Sequence, residues 1–240
     1  MKTNNLDIIY FIKPGLVSEE ARFSMRSLKN LPHRNVWVYG NKAFWMNNVH
    51  YVPAEQIGTK WENTSRLMEM VVQNPDISDN FIVMNDDFFI LKPIDNLEYF
   101  YEGDLDSRIE RTRLQRFMFE KAHYSRYGLL LKETNEWLKS HGYDNRNFEM
   151  HLPMIFNKKK MAKCLEAFPE GGYAARRSLY GNMWKVKATN CEKDCKVYGT
   201  LGFPAPGIVN FVSTTDRSFA NGVVGTWLRR YFSEKGPYEK

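Results

Sequence analysis

The chain has 240 residues, of which 43% are hydrophobic and 26% charged, and carries a formal net charge of +6. That balance excludes a disordered chain, and the length suits one large domain with a sizeable core. No apolar run reaches the ~20 residues that span a bilayer, and the positive charge favours an anionic partner such as a nucleotide, a phosphate-bearing acceptor, a nucleic acid or a membrane surface.

The opening MKTNNLDIIYFIKPG has too short an apolar stretch for a signal peptide and lacks a small-residue cleavage site. It is expected to be the first strand, Leu6 to Ile12, of a cytoplasmic protein. Pro14 and Gly15 break that strand. Ser18 then offers a helix N-cap, with Glu19 and Glu20 in the first turn where the dipole favours them. The helix carries Ala21, Met25 and Leu28 on one face and Arg22, Arg26 and Lys29 on the adjacent stripe, and Pro32 ends it. Asn35 to Tyr39 reads as a second strand, stopped by Gly40-Asn41, and Val49 to Val52 as a third. Asn63 or Thr64 is expected to cap a helix with Leu67, Met70 and Val71 facing inward, closed by Asn74-Pro75. Phe81 to Met84 is the fourth strand. This succession predicts an α/β domain with a mixed, mostly parallel sheet and flanking helices.

Residues 105–140 read as helical and basic, with Arg108, Arg111, Arg113, Arg116, Lys121 and Arg126. A helical insertion or lid at about 105–145 is expected within a single domain spanning 1–240. The alternative is a solvated helical face with Glu110 and Glu120 as partners. Asn157 is expected to cap a helix through Phe168, closed by Pro169. Asn221 is expected to cap a last helix carrying Val224, Trp227, Leu228 and Tyr231. Three cysteines, Cys164, Cys191 and Cys195, are too few for a disulfide framework, and Cys191-x-x-x-Cys195 has no second Cys or His pair nearby to complete a zinc site.

The most informative stretch is FIVMNDDFFILKP, residues 81–93, where Asn85, Asp86 and Asp87 interrupt an apolar run. A carboxylate in apolar surroundings must be paired, protonated or bound to a cation, and two adjacent ones repel each other. Mg²⁺ or Mn²⁺ resolves both problems, taking one or two carboxylates with the remaining ligands from water and substrate phosphates. In an α/β sheet such a site belongs outside the carboxyl ends of the strands. A solvent-facing turn is the plainer alternative, and the return to Phe88-Phe89-Ile90-Leu91 argues against it.

Several blocks, in order along the chain, resemble the Stealth family, which includes capsular-polysaccharide hexose-1-phosphate transferases and the lysosomal-enzyme GlcNAc-phosphotransferase. They are LDIIY with ARFSMRSLKNLP and NVWVYG, then FIVMNDDFFI, MHLPMIFNK, FVSTTD and the terminal WLRRYFSEKGPYEK. The resemblance implies a GT-A-like (Rossmann-like) core and a nucleotide-sugar donor, most simply a UDP-sugar. It implies transfer of sugar-1-phosphate to an acceptor hydroxyl with a nucleoside monophosphate leaving. By position Asp86 and Asp87 match the family's acidic pair, His151 its His-x-Pro block, Arg177 a family arginine and Asp216 a late acidic residue. One departure stands out: the family's first strand runs into Trp-Val-Asp-Gly, and here the stretch is Phe11-Ile12-Lys13-Pro14-Gly15.

These matches define expected roles. His151 suits general-base work on an acceptor hydroxyl near neutral pH, the alternative being a core histidine bonded to backbone. Arg22 and Arg26 offer guanidinium forks to phosphate, or a solvated helix face. Asn63, Thr64 and Arg66, at an expected helix start, are candidate donor contacts, and Lys13 a candidate phosphate contact. Arg176 and Arg177 after Gly171-Gly172 suit a loop closing on phosphates, or a basic surface loop. Asp216 would complete a metal shell or assist His151, or simply make a turn. Two competing readings remain: transfer of the sugar alone to a glycan or modified nucleic acid, and a non-catalytic nucleotide or nucleic-acid binding module.

Overall fold

The computed structural model of the chain describes residues 1–15, 17–120, 125–168, 174–203 and 210–240, the side chains of 115–120 excepted. Lys121, Pro169, Gly171-Gly172 and the side chains of Arg116 and Glu120, all named above, lie outside the described residues. The chain divides into two compact units, one of Met1–Leu97, His151–Lys158 and Cys195–Lys240, the other of Glu98–Met150 and Lys159–Asp194.

The first unit is built on β1 (Asp7–Ile12), β2 (Val36–Gly40), β3 (His50–Pro53) and β4 (Asn80–Met84). β1 pairs parallel with both β2 and β4, and β2 pairs parallel with β3. A fifth strand, Met154–Asn157, runs antiparallel to β4 and closes the sheet. Ile8, Ile9, Tyr10 and Ile12 have no exposed surface. That explains why the central strands read as unbroken apolar runs rather than alternating ones: both faces are covered. β5 (Phe88–Ile90) follows β4 after three residues and joins a second, three-stranded sheet.

Helix α1 (Glu19–Ser27) connects β1 to β2 and ends in a short 3-10 turn over Leu28–Asn30. Ala21, Met25 and Leu28 are buried as their spacing predicts. Ser18 occupies the capping position but lies at φ 44° and makes no side-chain capping bond. Helix α2 (Lys60–Gln73) starts earlier than expected. Thr59 caps it, with Glu62 completing a capping box, so Asn63 and Thr64 lie inside the helix. The pattern of Gly58-Thr59 followed three residues on by Glu62 carried that signal, and the polar Asn63-Thr64 pair masked it.

The second unit holds β6 (Phe100–Tyr101), α3 (Leu105–Glu120) and α4 (Arg126–Ser140). The strand Met154–Asn157 of the first unit is β7, and α5 (Lys158–Ala167) follows it directly. α6 (Arg176–Met183) and β8 (Thr189–Asn190) complete the second unit, with β8 paired to β6. α3 and α4 are fastened by Asp106, which accepts from Asn135 at 2.8 Å and from Lys139 at 2.6 Å. The described basic side chains of α3 have acidic partners nearby: Arg111 lies 2.9 Å and Arg108 3.7 Å from Glu102, and Arg113 pairs with Glu110.

The first unit ends with β9 (Lys196–Val197), β10 (Phe211–Thr214), α7 (Asp216–Asn221) and α8 (Val223–Tyr231). β10 pairs antiparallel with β5 and parallel with β9. Under this small sheet Phe23, Phe89, Val197, Val212, Phe219, Val224, Leu228 and Phe232 form one buried cluster, each member contributing roughly 1.5–3 kcal/mol by burial. Gly222, not Asn221, caps α8, because Asn221 is the last residue of α7. Among the described residues no helix is long and apolar enough to cross a membrane.

Candidate functional site

The five-stranded sheet has the order β3-β2-β1-β4-β7. From β1 the chain steps outward to β2 and β3, then returns across β1 to β4. The order therefore reverses between β1 and β4, and the carboxyl ends of those two strands border the crevice where open α/β sheets bind ligands. The register Tyr10↔Met84 fixes what lies there: Lys13 follows β1, and Asn85-Asp86-Asp87 follows β4. The acidic pair is also the crossing point between the two sheets, since β5 begins at Phe88.

Asp87 is anchored by the small sheet. Its Oδ2 accepts from Lys196 Nζ at 2.6 Å and from Ser213 Oγ at 3.0 Å, and its carbonyl accepts from the Thr214 amide at 3.2 Å. Both partners of the Lys196–Asp87 pair are 13% exposed, so this is a mostly desolvated ion pair. Among the described residues no side chain hydrogen-bonds to Asp86, whose carboxylate meets only its own backbone amide. Burial pushes its carboxyl up to about 6, with repulsion from Asp87 and Asp216 adding and the Lys13 charge opposing. Glu20, in the first turn of α1, accepts a hydrogen bond from the Thr214 hydroxyl. Burial pushes it up to about 8; the Thr214 bond opposes that shift, while the charges of Asp86, Asp87 and Asp216 add to it. Burial alone would lower the Lys13 ammonium, but Asp86, Asp216 and Glu20 hold it above its ordinary value. Lys13 and Asp216 meet at 3.3 Å with side chains 65% and 82% exposed, a contact that contributes little by itself.

Four carboxylates thus act on one another with two ammonium groups among them, and two of the acids hold protons more tightly than they would in water. This is the signature of local negative charge that the protein does not fully compensate. Among the described residues no three His, Cys, Asp or Glu side chains converge as a closed metal cage. The donor set suits a hard divalent cation that takes Asp86 and the second oxygen of Asp87 and draws its remaining ligands from water and phosphate oxygens. A site for zinc or another cation needing an all-protein shell does not fit.

His151 sits in the bend before β7, and its ring meets Phe88 edge-to-face at 6.4 Å. Phe88 is the residue next to Asp87, so the His-x-Pro block and the acidic turn come together in the first unit. The His151 carbonyl accepts from Cys195 Sγ at 3.0 Å, one residue before Lys196. Asp216 is the first residue of α7, behind a Thr215–Ser218 capping box.

Other expected residues have different work. Arg26 is buried, with Nε and Nη2 on Glu239 at 2.6 and 3.0 Å and Nη1 on the carbonyls of Phe232 and Ser233 at 2.8 and 3.1 Å. All three of its nitrogens are engaged within the protein, which corrects the expectation of a phosphate fork. Arg22 Nε also donates to Glu239. Asn63 bonds both the amide and the carbonyl of Gly58, at 3.2 and 2.8 Å. The Thr64 hydroxyl turns back onto the Lys60 carbonyl at 2.7 Å. These two are structural, and the anion site expected at their amides is lost because the helix begins at Lys60. Arg66 keeps a buried Nη2 that has no hydrogen-bond partner among the described residues. Arg177 lies in α6 of the second unit, where Nη1 donates to the Met150 carbonyl at 3.1 Å. An open cleft of about 430 Å³ in that unit is lined by Glu102, Ser107, Arg111, Asn190, Cys191 and others, and its arginine is already paired with Glu102.

Sequence reasoning missed Glu20, Lys196, Ser213 and Ser24. Glu20 looked like an ordinary first-turn acid, and only the fold brings Thr214 against it. Lys196 had no local signal. Ser213 and Thr214 were present in the FVSTTD block, where polar residues end an apolar strand. Ser24 Oγ donates to the Phe88 carbonyl at 2.6 Å and receives the Tyr10 hydroxyl at 2.9 Å, so a buried relay ties β1 and α1 to the acidic turn.

No known family profile matches the chain, and no curated protein matches it; the likeness to the Stealth family rests on its motifs. Solved structures similar in fold include mouse xyloside xylosyltransferase 1, at 9% identity and TM-score 0.41, over 98% of this chain and 96% of that one. Another is 4-diphosphocytidyl-2C-methyl-D-erythritol synthase, at 10% identity and TM-score 0.37, over 78% and 88%. A third is the apo-form glycosyltransferase GlyE of Streptococcus pneumoniae TIGR4, at 10% identity and TM-score 0.30, over 57% of this chain and 44% of GlyE. The chain thus spans less than half of GlyE, and at these scores the likeness says nothing about substrate.

Proposed function

We propose that this protein is a GT-A-like nucleotide-sugar transferase that moves a sugar-1-phosphate to an acceptor hydroxyl at the carboxyl ends of β1 and β4. The observation that carries the reading is Asp86: a carboxylate at the point where the strand order reverses, destabilised by burial and by Asp87, and opposed only by the Lys13 charge and its own backbone amide among the described residues. Fixed repulsion of this kind is costly to a fold and is useful where a cation and a diphosphate relieve it.

Asp86 and the second oxygen of Asp87 would hold Mg²⁺ or Mn²⁺, which when bound neutralises charge on the donor diphosphate. Lys196 and Ser213 keep Asp87 oriented, and Lys13 faces the same crevice as a phosphate contact. The acceptor oxygen bonds to the phosphorus next to the sugar, the bridging P–O bond breaks, and the nucleoside monophosphate departs with that oxygen. The acceptor proton passes to His151, whose ring stands against Phe88. Arg177, in the second unit, keeps only the role its motif match implies. Phosphoryl transfer asks mainly for positioning and charge stabilisation, which this set of groups supplies.

One observation favours a second reading, transfer of the sugar alone. Lys13-Pro14 stands where the Stealth family has an acid, and Lys13 pairs with Asp216 instead. Incubation with UDP-sugars and Mn²⁺, followed by identification of the released nucleotide, separates the two. UMP supports sugar-phosphate transfer, UDP supports glycosyl transfer, and release of neither across a panel of sugars and acceptors refutes the transferase.

A further inference from the structure

We infer that Glu239 is a positioning residue for the acidic turn and acts on it through α1. The inference deepens the transferase reading, because that turn is where the donor would bind. The Glu239 side chain is 1% exposed. It accepts from Arg22 Nε, from Arg26 Nε and Nη2 at 2.6 and 3.0 Å, and from the Gly236 amide at 3.0 Å. Burial opposes ionisation, yet the two arginines and that amide hold the carboxyl down at about 2. The surrounding tail is tied on its other side: Lys240 N donates to the Trp45 carbonyl at 2.9 Å, Asn47 N to the Tyr238 carbonyl at 2.9 Å, and Asn48 Nδ2 to the Pro237 carbonyl at 2.8 Å. Residues 237–240 thus form a strap fixed between α1 and the loop at 45–48.

The opposite stripe of α1 meets the site. Glu20 and Ser24 are one helical turn apart, as are Arg22 and Arg26, and the two pairs are about 200° apart around the axis at ~100° per residue. Glu20 takes the Thr214 hydroxyl, and Ser24 supports the Phe88 carbonyl at 2.6 Å, with the Asn85 carbonyl at 3.3 Å. Any roll or slide of α1 moves Glu20 and Ser24 together against the Asn85–Phe88 turn, and the Glu239 clamp on the back of the helix resists it. Two sequence blocks far apart, ARFSMRS and GPYEK, are in this way one device. Losing Glu239 leaves Arg26 buried without its counter-charge, a strong perturbation at one place.

The test compares E239Q with R34Q, a control that breaks the Arg34–Asp7 pair at the amino end of β1, by hydrogen–deuterium exchange in the metal-free protein and by Mn²⁺ and UDP-sugar titration. E239Q is expected to speed exchange of the amides in Asn85–Ile90 about tenfold and to weaken Mn²⁺-dependent UDP-sugar binding about tenfold. R34Q, at a matched loss of Tm, is expected to change neither. If E239Q does not fold, R22Q, which removes one partner of Glu239, is expected to give about a threefold change in the same peptides. Exchange at Asn85–Ile90 in the clamp variant no faster than in R34Q overturns the inference. Faster exchange with a parent protein that binds no UDP-sugar leaves the positioning role standing and removes the transferase reading instead.

Discussion

Asp86→Asn should stabilise the metal-free protein at alkaline pH, an unusual direction for a change in a half-buried polar side chain. The folded Asp86 carboxyl is raised from 3.8 to about 6, so the folded chain binds that proton more tightly than the unfolded chain does. Stability from this group is fully present below the unfolded value and is lost as pH rises through the folded one. A shift of about two units corresponds to roughly 3 kcal/mol, which partial solvent exposure reduces to about 1–2 kcal/mol. Asparagine has the same shape and no charge to repel Asp87. At pH 8 the variant should therefore melt about 2–8 °C higher than the parent, using ~2–4 °C per kcal/mol for a chain of this size. At pH 4 the two should melt within a degree or two of each other. With Mn²⁺ and a UDP-sugar present at pH 8 the order should reverse, since only the parent gains from binding. Thermal unfolding followed by circular dichroism reads all three. An Asp86→Asn variant that melts lower than the parent by the same amount at pH 4 and pH 8 refutes the reasoning, because Asp86 would then be an ordinary satisfied structural residue.

Further outcomes follow from the same geometry. Lys196→Met leaves Asp87, whose side chain is 13% exposed, without its counter-charge and should cost about 3 kcal/mol in denaturant unfolding at pH 7. Thr59→Ala removes the α2 capping box and should cost about 1 kcal/mol while leaving UDP-sugar affinity unchanged in calorimetry. His151→Asn should lower the turnover rate about 10²–10⁴-fold with donor affinity kept within a factor of about three; an unchanged rate would remove His151 from proton transfer.

The central strands were legible because their composition has one physical cause. A strand buried on both faces carries no polar alternation, and Leu6–Ile12, Asn35–Tyr39 and Phe81–Met84 all read that way. The acidic turn was legible for the converse reason, as charge where desolvation penalises it. Its partners were not. Lys196, Ser213 and Thr214 reach Asp87 and Glu20 across more than a hundred residues of chain, through a small sheet whose strands are only two to four residues long. Strands that short give no periodicity to read. The arginine stripe of α1 was visible, but its counter-charge lay at Glu239, and without that partner a clamp and a phosphate fork look alike. The start of α2 is hard to read in the sequence because Asn63-Thr64 offers a stronger apparent cap than Thr59, although Glu62 fits only the latter. The glycine pair before Arg176 and Arg177 suggests a loop, whereas the two arginines open α6.

The most direct measurement is the anomalous diffraction of Mn²⁺ in crystals soaked with a UDP-sugar. The account predicts a peak ~2.0–2.2 Å from an Asp86 carboxylate oxygen, with diphosphate oxygens completing the shell and the phosphorus nearer the sugar turned toward His151. Diphosphate density away from the carboxyl ends of β1 and β4, or a Mn²⁺ peak that leaves both Asp86 and Asp87 without a metal bond, would contradict it.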